Sequence, residues 1–267
     1  MNSLANRLFD IPLPDFRARA PWWGPDLQTL RNALSAPKLD LGRYPSERLT
    51  LPVADGYAAW SHTYDETVRD LLDLPLLEQI HCVDWSSCER AADLACGTGR
   101  TGAWLAQQGV KRIDGVDLTP EMIELARRKE VYDSLHVCDV ADTPLESAAY
   151  DLCIMVLADE HLEELRPVYR ETARLTRPGG QFVIVGYHPH FMLMGIPPHF
   201  HPESGEPLAI TSYLHYTSDH IHAAHAAGWS LLEMHEHLID QACIAAKPKW
   251  ENLLNHPISF AMVWHKA

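Results

Sequence analysis

From Ala91 onward, short apolar runs alternate with longer stretches in which apolar residues recur every three or four positions. The first pattern is that of buried strands, the second that of amphipathic helices. It predicts strands near Ala91–Ala95, Arg112–Asp117, Ser134–Cys138, Tyr150–Leu157 and Gln181–Tyr187. Helices are expected near Gly99–Gln108, Pro120–Lys129, Asp159–Leu175 and Asp219–Ala227, and Ser230–Leu238 and Ile258–Trp264 read as two final strands. Such alternation demands a parallel sheet with right-handed crossovers and helices on both faces. Thr119 before Pro120 reads as an N-cap with proline at N1, and Gly109 and Gly228 as C-terminal stops.

The first 55 residues are different, rich in proline and tryptophan. After Pro21-Trp22-Trp23-Gly24-Pro25, Leu27, Leu30 and Leu34 fall on one helical face. Pro37, Pro45 and Pro52 mark an extended connection, and a second helical segment is expected around Glu66–Ile80, broken or kinked at Pro75. A proline- and glycine-rich interruption from His188 to Pro207 follows the fifth core strand. Ligands of open α/β sheets sit beyond the carboxyl ends of the strands, so extension and insertion are both placed to roof a site. The expected organisation is an N-terminal extension or lid over 1–55 and a sheet domain over 56–267, with a substrate-capping insertion near 188–207.

Asp93-Leu94-Ala95-Cys96-Gly97-Thr98-Gly99-Arg100-Thr101-Gly102 joins the first core strand to its helix through a glycine turn suited to a small charged ligand. Gly97, Gly99 and Gly102, with Asp117 about 20 residues on, also satisfy the spacing of a dinucleotide fingerprint. Asp93 separates the two cofactors: a carboxylate at the strand end repels a pyrophosphate and attracts the ammonium or sulfonium of S-adenosylmethionine (SAM). The N–H groups opening the helix near Gly99 can take the methionine carboxylate.

Residues 57 to 264 resemble the class I SAM-dependent methyltransferases. Asp93 to Gly99 is similar to their first motif, and Asp117 to the acid that holds both ribose hydroxyls, with Leu118 and Met122 flanking adenine. Cys138-Asp139-Val140 resembles the loop where an acid meets the adenine amino group. Tyr150 to Leu157 resembles the fourth strand, and Arg177-Pro178-Gly179-Gly180-Gln181-Phe182-Val183 the turn into the fifth. Gly56-Tyr57-Ala58-Ala59-Trp60-Ser61-His62-Thr63-Tyr64-Asp65 resembles the N-terminal motif of small-molecule and quinone-type members, in which tyrosines close over the cofactor. Aromatic faces attract a sulfonium, so Tyr57 and Tyr64 are the expected lid. The resemblance implies a Rossmann-like, doubly wound, seven-stranded, mostly parallel sheet whose last strand is antiparallel. Its implied cofactor set is Tyr57, Tyr64, Asp93, Gly97, Gly99, Asp117, Leu118, Met122, Asp139, Val140 and Leu157.

Composition narrows the partners. With 46% hydrophobic residues over 267, one ample core is available, and 22 basic against 36 acidic residues give a net charge of −14. That balance disfavours nucleic acid. The six cysteines are scattered without metal or disulfide spacing, no apolar run approaches the ~20 residues of a membrane span, and Met1-Asn2-Ser3 opens no signal pattern. A cytoplasmic monomer or homodimer acting on a small molecule is expected.

Methyl transfer needs positioning, exclusion of water and, where the acceptor carries a proton, a base. Among 16 histidines, His188 just past the fifth strand and His161 just past the fourth are the candidates. The pairs His188/His190, His199/His201 and His235/His237 and the group His220/His222/His225 lack a completing carboxylate or cysteine, so no metal is expected. The functional expectation is SAM-dependent methylation of a small molecule at O, N or C. The alternatives are an enzyme that cyclises SAM to azetidine-2-carboxylate with release of methylthioadenosine, and a noncatalytic SAM-binding protein.

Overall fold

The computed structural model describes residues 50–68, 71–194, 199–200 and 208–267, with the backbone alone at His199. The expected helix at 27–34, Trp22 and Trp23 lie outside these residues, as does most of the capping insertion.

In chain order the elements are β1 (Thr50–Leu51), α1 (Val53–Trp60), α2 (Tyr64–Thr67), α3 (Leu74–Leu77), β2 (Arg90–Leu94), α4 (Arg100–Gln107), β3 (Arg112–Asp117), α5 (Pro120–Arg127), β4 (Ser134–Val137), β5 (Tyr150–Val156), α6 (Leu165–Leu175), β6 (Thr176–Tyr187), α7 (Pro189–Leu193), β7 (His199–Phe200), β8 (Leu208–Ile210), α8 (Thr217–Ala226), β9 (Trp229–Leu238), α9 (Gln241–Ala246) and β10 (Pro257–Lys266). Seven strands form one sheet in the order β4-β3-β2-β5-β6-β10-β9. β2 to β6 run parallel, and β10 lies antiparallel between β6 and β9. The doubly wound sheet with an antiparallel last strand is therefore present. A second small sheet, β1-β8-β7, joins the residues before α1 to the end of the insertion, with Leu51 paired to Ile210.

Strand alternation sets the layers. Cys153 and Met155 of β5, Phe182 and Ile184 of β6 and Phe260 and Met262 of β10 face α6 and α8 in one core. Leu152, Ile154, Val183, Val185, Ala261 and Val263 point to the opposite face, against Leu76 and Leu77 of α3 and Leu105 of α4.

Local expectations fail in three places. The helix expected over Glu66–Ile80 is reduced to the single turns α2 and α3, because Asp73 caps Leu74 with Pro75 in the first turn. The helix expected from Asp159 starts at Leu165, after a separate 3₁₀ turn over Asp159–His161. Thr119 occupies an N-cap but its side chain makes no cap bond; its N–H instead donates to Asp117 Oδ1 at 2.8 Å.

Tyr132 locks the central loops. Its hydroxyl donates to Asp93 Oδ2 at 2.6 Å. Its ring fills a slot walled by Gly99, Gly102 and Gly115: a β-carbon would lie 3.0 Å from Tyr132 Cε2 at Gly99 and 2.8 Å from Cε1 at Gly115, and would overlap the Tyr132 hydroxyl at Gly102. The last two glycines of the G-x-G-x-x-G spacing thus make room for a side chain of the protein itself. Gly102→Ala discriminates cleanly: helix propensity alone would raise stability by up to about 1 kcal/mol, whereas overlap with Tyr132 lowers it by about 1–3 kcal/mol. Urea unfolding is expected to show the loss.

Candidate active site

The floor of the site is made where β2, β3, β4 and β5 end side by side. After β2 the chain turns through Ala95-Cys96-Gly97-Thr98-Gly99; Gly99 caps α4 in the left-handed region (φ 85°), and Gly97 also has positive φ (54°). Asp117 closes the floor: Oδ2 accepts the Gly97 N–H at 2.8 Å and Oδ1 the Thr119 N–H. Burial raises its pKa while these bonds pull the other way.

A cavity of about 190 Å³ lies above this floor. Gly97, Asp117, Leu118, Met122, Asp139, Val140 and Leu157 line it, and so do Tyr57, Tyr64 and His161. A β-carbon at Gly97 would meet nothing within 4 Å, so the turn leaves open space beside the Asp117 carboxylate. Asp139 is steadied by the Ala141 N–H at 2.8 Å. Ala95 and Leu157, at neighbouring strand ends on the cavity wall, both have positive φ (55° and 52°), strain of the kind that concentrates at functional sites.

The roof comes from α1, α2 and the end of the insertion. Gly56 packs against Ile210, Trp60 stacks on Phe200 with centroids 5.5 Å apart, and Tyr57 stacks on Trp60. Asp65 straps roof to floor, accepting from Thr98 Oγ1 at 2.5 Å and from Lys129 Nζ at 2.7 Å. Tyr57 and His161 form a second tie. His161 Nδ1 stands 2.7 Å from the Thr211 carbonyl, which only accepts, so Nδ1 carries the hydrogen and Nε2 accepts from the Tyr57 hydroxyl at 2.8 Å. Burial lowers the His161 pKa and raises that of Tyr57, so the pair is neutral.

Three expected residues stand elsewhere. Asp93, 1% exposed, does not line the cavity; burial pushes its pKa up to about 7 and its carboxyl is spent on Tyr132, so the direct attraction expected toward a bound cation is replaced by support of the loop. Gly99 lies behind the turn, against Tyr132 and Ala126, rather than on the cavity wall. His188 is remote from the cavity lining: its Nδ1 caps α7 by accepting the His190 N–H, and its Nε2 pairs with Glu236 at 3.0 Å, leaving no nitrogen for a proton-transfer role. Sequence reading missed Thr98, Arg100, Asp73 and Leu162 on the wall, the strap Asp65, and Tyr132. Of these, Thr98 and Arg100 lie within the glycine turn already singled out, and Asp65 follows Tyr64 in the N-terminal motif. Among the described residues no group of three or more His, Cys, Asp or Glu side chains could hold a metal, and no helix is long and apolar enough to cross a membrane.

A family profile described as a methyltransferase domain matches residues 92–184. The chain is 34% identical over 92 residues to the malonyl-[acyl-carrier protein] O-methyltransferase of Serratia marcescens, covering 34% of this chain and 36% of that one. It therefore spans about a third of the length of this relative. An uncharacterised methyltransferase of Emericella nidulans is 26% identical over 248 residues, 78% of this chain and 86% of its own. Among solved structures, an S-adenosylmethionine-dependent methyltransferase from Mesorhizobium loti shares the fold with a TM-score of 0.58 at 20% identity, covering 72% of this chain and 96% of that one.

The Asp93 carboxyl makes a testable link to pH. Between its ordinary value of 3.8 and about 7 the folded state holds a proton that the unfolded chain releases, so this group's contribution to stability falls as pH rises through that window. Asp93→Asn removes the titration while leaving an acceptor for Tyr132. Urea unfolding is expected to show the variant gaining about 2–4 kcal/mol on wild type between pH 4.5 and pH 8; a gap independent of pH would contradict a neutral buried Asp93.

Proposed function

We propose that this chain is a class I SAM-dependent methyltransferase and transfers a methyl group from SAM to an O, N or C atom of a small molecule in the roofed cavity. The observation that carries the reading is that the open space at Gly97, the bonded carboxylate of Asp117, Asp139 and the Tyr57–His161 pair all face one cavity.

The residues suit the cofactor. Asp117 is available to the ribose hydroxyls, Leu118 and Met122 to the adenine faces, and Asp139 beside Val140 to the adenine amino group. The turn at Gly97 and the first N–H groups of α4, at Arg100 and Thr101 on the wall, suit a carboxylate. Tyr57 and Tyr64 offer aromatic faces to a cation, and Leu157 closes the floor. SAM supplies a methyl group already activated on sulfur, so the protein's work is to orient the acceptor, exclude water and move a proton. His161 is the proton acceptor: the Tyr57 hydroxyl gives its hydrogen to Nε2 as it takes the acceptor's, and the Thr211 carbonyl stabilises the Nδ1–H of the imidazolium so formed. The strap through Asp65 suits the roof to exclude water.

The relatives described above are methyltransferases, which favours methyl transfer over cyclisation of SAM or binding without turnover. The domain reading, with 1–55 as a lid and 188–207 as a substrate cap, rests on the pairing of β1 with β8 at the two segments' ends. Incubation with SAM alone and with small-molecule extracts, with the sulfur product identified by mass, tests the reaction. Adenosylhomocysteine formed only with extract is expected; methylthioadenosine formed without extract would replace methyl transfer by cyclisation.

Two variants test the assignments. Asp117→Ala is expected to weaken SAM binding by about 1.5–3 kcal/mol in calorimetry, with a smaller loss of stability because the Gly97 and Thr119 N–H groups lose their acceptor. Tyr57→Phe and His161→Ala are expected to slow turnover 10²- to 10⁴-fold with SAM affinity changed less than the rate; an unaltered rate in either would remove the pair from the proton transfer.

A further inference from the structure

The proton transfer assigned to His161 requires one tautomer of its ring. A neutral imidazole carries its hydrogen on either nitrogen, and the choice is set by the bonds the two nitrogens make. With the hydrogen on Nδ1, Nε2 accepts from the Tyr57 hydroxyl; with it on Nε2, that nitrogen becomes a donor and can take no proton through Tyr57. The group that settles the choice is the Thr211 carbonyl, 2.7 Å from Nδ1. Burial lowers the His161 pKa, and the bond to Thr211 opposes that shift, so the same contact also supports basicity.

Thr211 is in turn held by the roof. It follows β8 directly, and its N–H and its Oγ1 both donate to the Leu51 carbonyl of β1 at 3.0 Å. Ile210, the residue before it, pairs with Leu51 and lies against Gly56 of α1, where a β-carbon would stand 2.8 Å from Ile210 Cγ1. Gly56 precedes Tyr57, so the contacts close on themselves: β1 and α1 hold β8, β8 presents Thr211, Thr211 orients His161, and His161 meets Tyr57 of α1. The residues that follow grip the 3₁₀ turn on both sides of His161. The Tyr213 N–H donates to the Glu160 carbonyl and His215 Nε2 to the Leu162 carbonyl, each at 2.6 Å. Thr211 does not line the cavity, so its effect on the reaction runs through His161.

We propose that Thr211 is a positioning residue for methyl transfer, and that the pairing of β8 with β1 sets the His161 tautomer, so that the proton acceptor works only while this part of the roof is in register. This rests on the reading of His161 as the proton acceptor. Enclosure and base are then assembled together: a displaced β8 both opens the cavity to water and leaves Nδ1–H without its acceptor, which confines proton transfer to the closed site.

NMR of the full chain carrying isotope-labelled histidine nitrogens reads the tautomer directly, with the His161 signals assigned by their loss in His161→Ala. Wild type is expected to hold its hydrogen on Nδ1. Thr211→Pro keeps the carbonyl and removes both donors to Leu51; the ratio of Nδ1–H to Nε2–H is expected to fall about tenfold. Thr211→Val removes the hydroxyl bond alone, for a fall of about two- to fivefold, and Thr211→Ser, which keeps both donors, is expected to match wild type. Val263→Ala, a buried core variant off the cavity wall, controls for loss of stability and is expected to leave the tautomer unchanged. Thr211→Val decides the question where Thr211→Pro does not fold. A wild-type hydrogen on Nε2 or divided between the nitrogens, an unchanged ratio in folded Thr211→Val, or an equal shift in Val263→Ala overturns the proposal. Adenosylhomocysteine formation unaltered in His161→Ala overturns the base reading and the proposal with it, even with the tautomer held by Thr211, so the two failures are told apart.

Discussion

The hydrogen bond from Tyr132 to Asp93 is the constraint around which the site is organised. It joins the loop after α5 to the end of β2, and it can form only because Gly99, Gly102 and Gly115 give the phenol ring a slot between the turn, the first helix and the second core strand. With the turn pinned from behind, the Gly97 N–H is presented to Asp117 and its α-carbon to open space. The floor owes its shape to a side chain that never reaches it.

The buried acids of this region are handled in different ways. Asp117 keeps two backbone N–H donors, the arrangement that best sustains a carboxylate out of water. Asp93 is held by the Tyr132 phenol and the Gly102 backbone, and burial still pushes its pKa up to about 7. Glu160 lies against Asp159, and burial together with that neighbouring acid drives the Glu160 pKa well above its usual range. Backbone donors thus offset the cost of burial at Asp117, whereas at Glu160 the protonated form is favoured.

How much of this was legible in the sequence depended on range. The core strands and the acid ending β3 follow from alternation and spacing, because those signals are local, whereas the antiparallel last strand was expected only from the family resemblance. Asp93 was visible, but its partner sits 39 residues away in a loop with no motif, so its role was read as ligand attraction when it is loop support. His188 was placed by its position after a strand; the chain spends it instead on capping α7, a use its neighbour Pro189 permits by starting the helix. His161 reached the cavity because the 3₁₀ turn delays α6, which periodicity over 159–175 could not reveal. The roof depends on the pairing of β1 with β8 across 159 positions, and two-residue strands carry no readable alternation.

The glycine-walled slot also bears on how such a protein can diverge. Positions 99, 102 and 115 are distant in the chain from 132 but share one volume. A larger residue at 102 or 115 requires position 132 to shrink, at 99 the left-handed φ and Ala126 forbid it besides, and a smaller residue at 132 leaves a void together with a carboxyl that has lost its phenol donor. Single steps from either side pass through a less stable intermediate, so the four positions form an epistatic set expected to be exchanged together between lineages. A mutational scan taking one position at a time would score Gly102 as immutable and would attribute to the ligand a restriction that Tyr132 imposes.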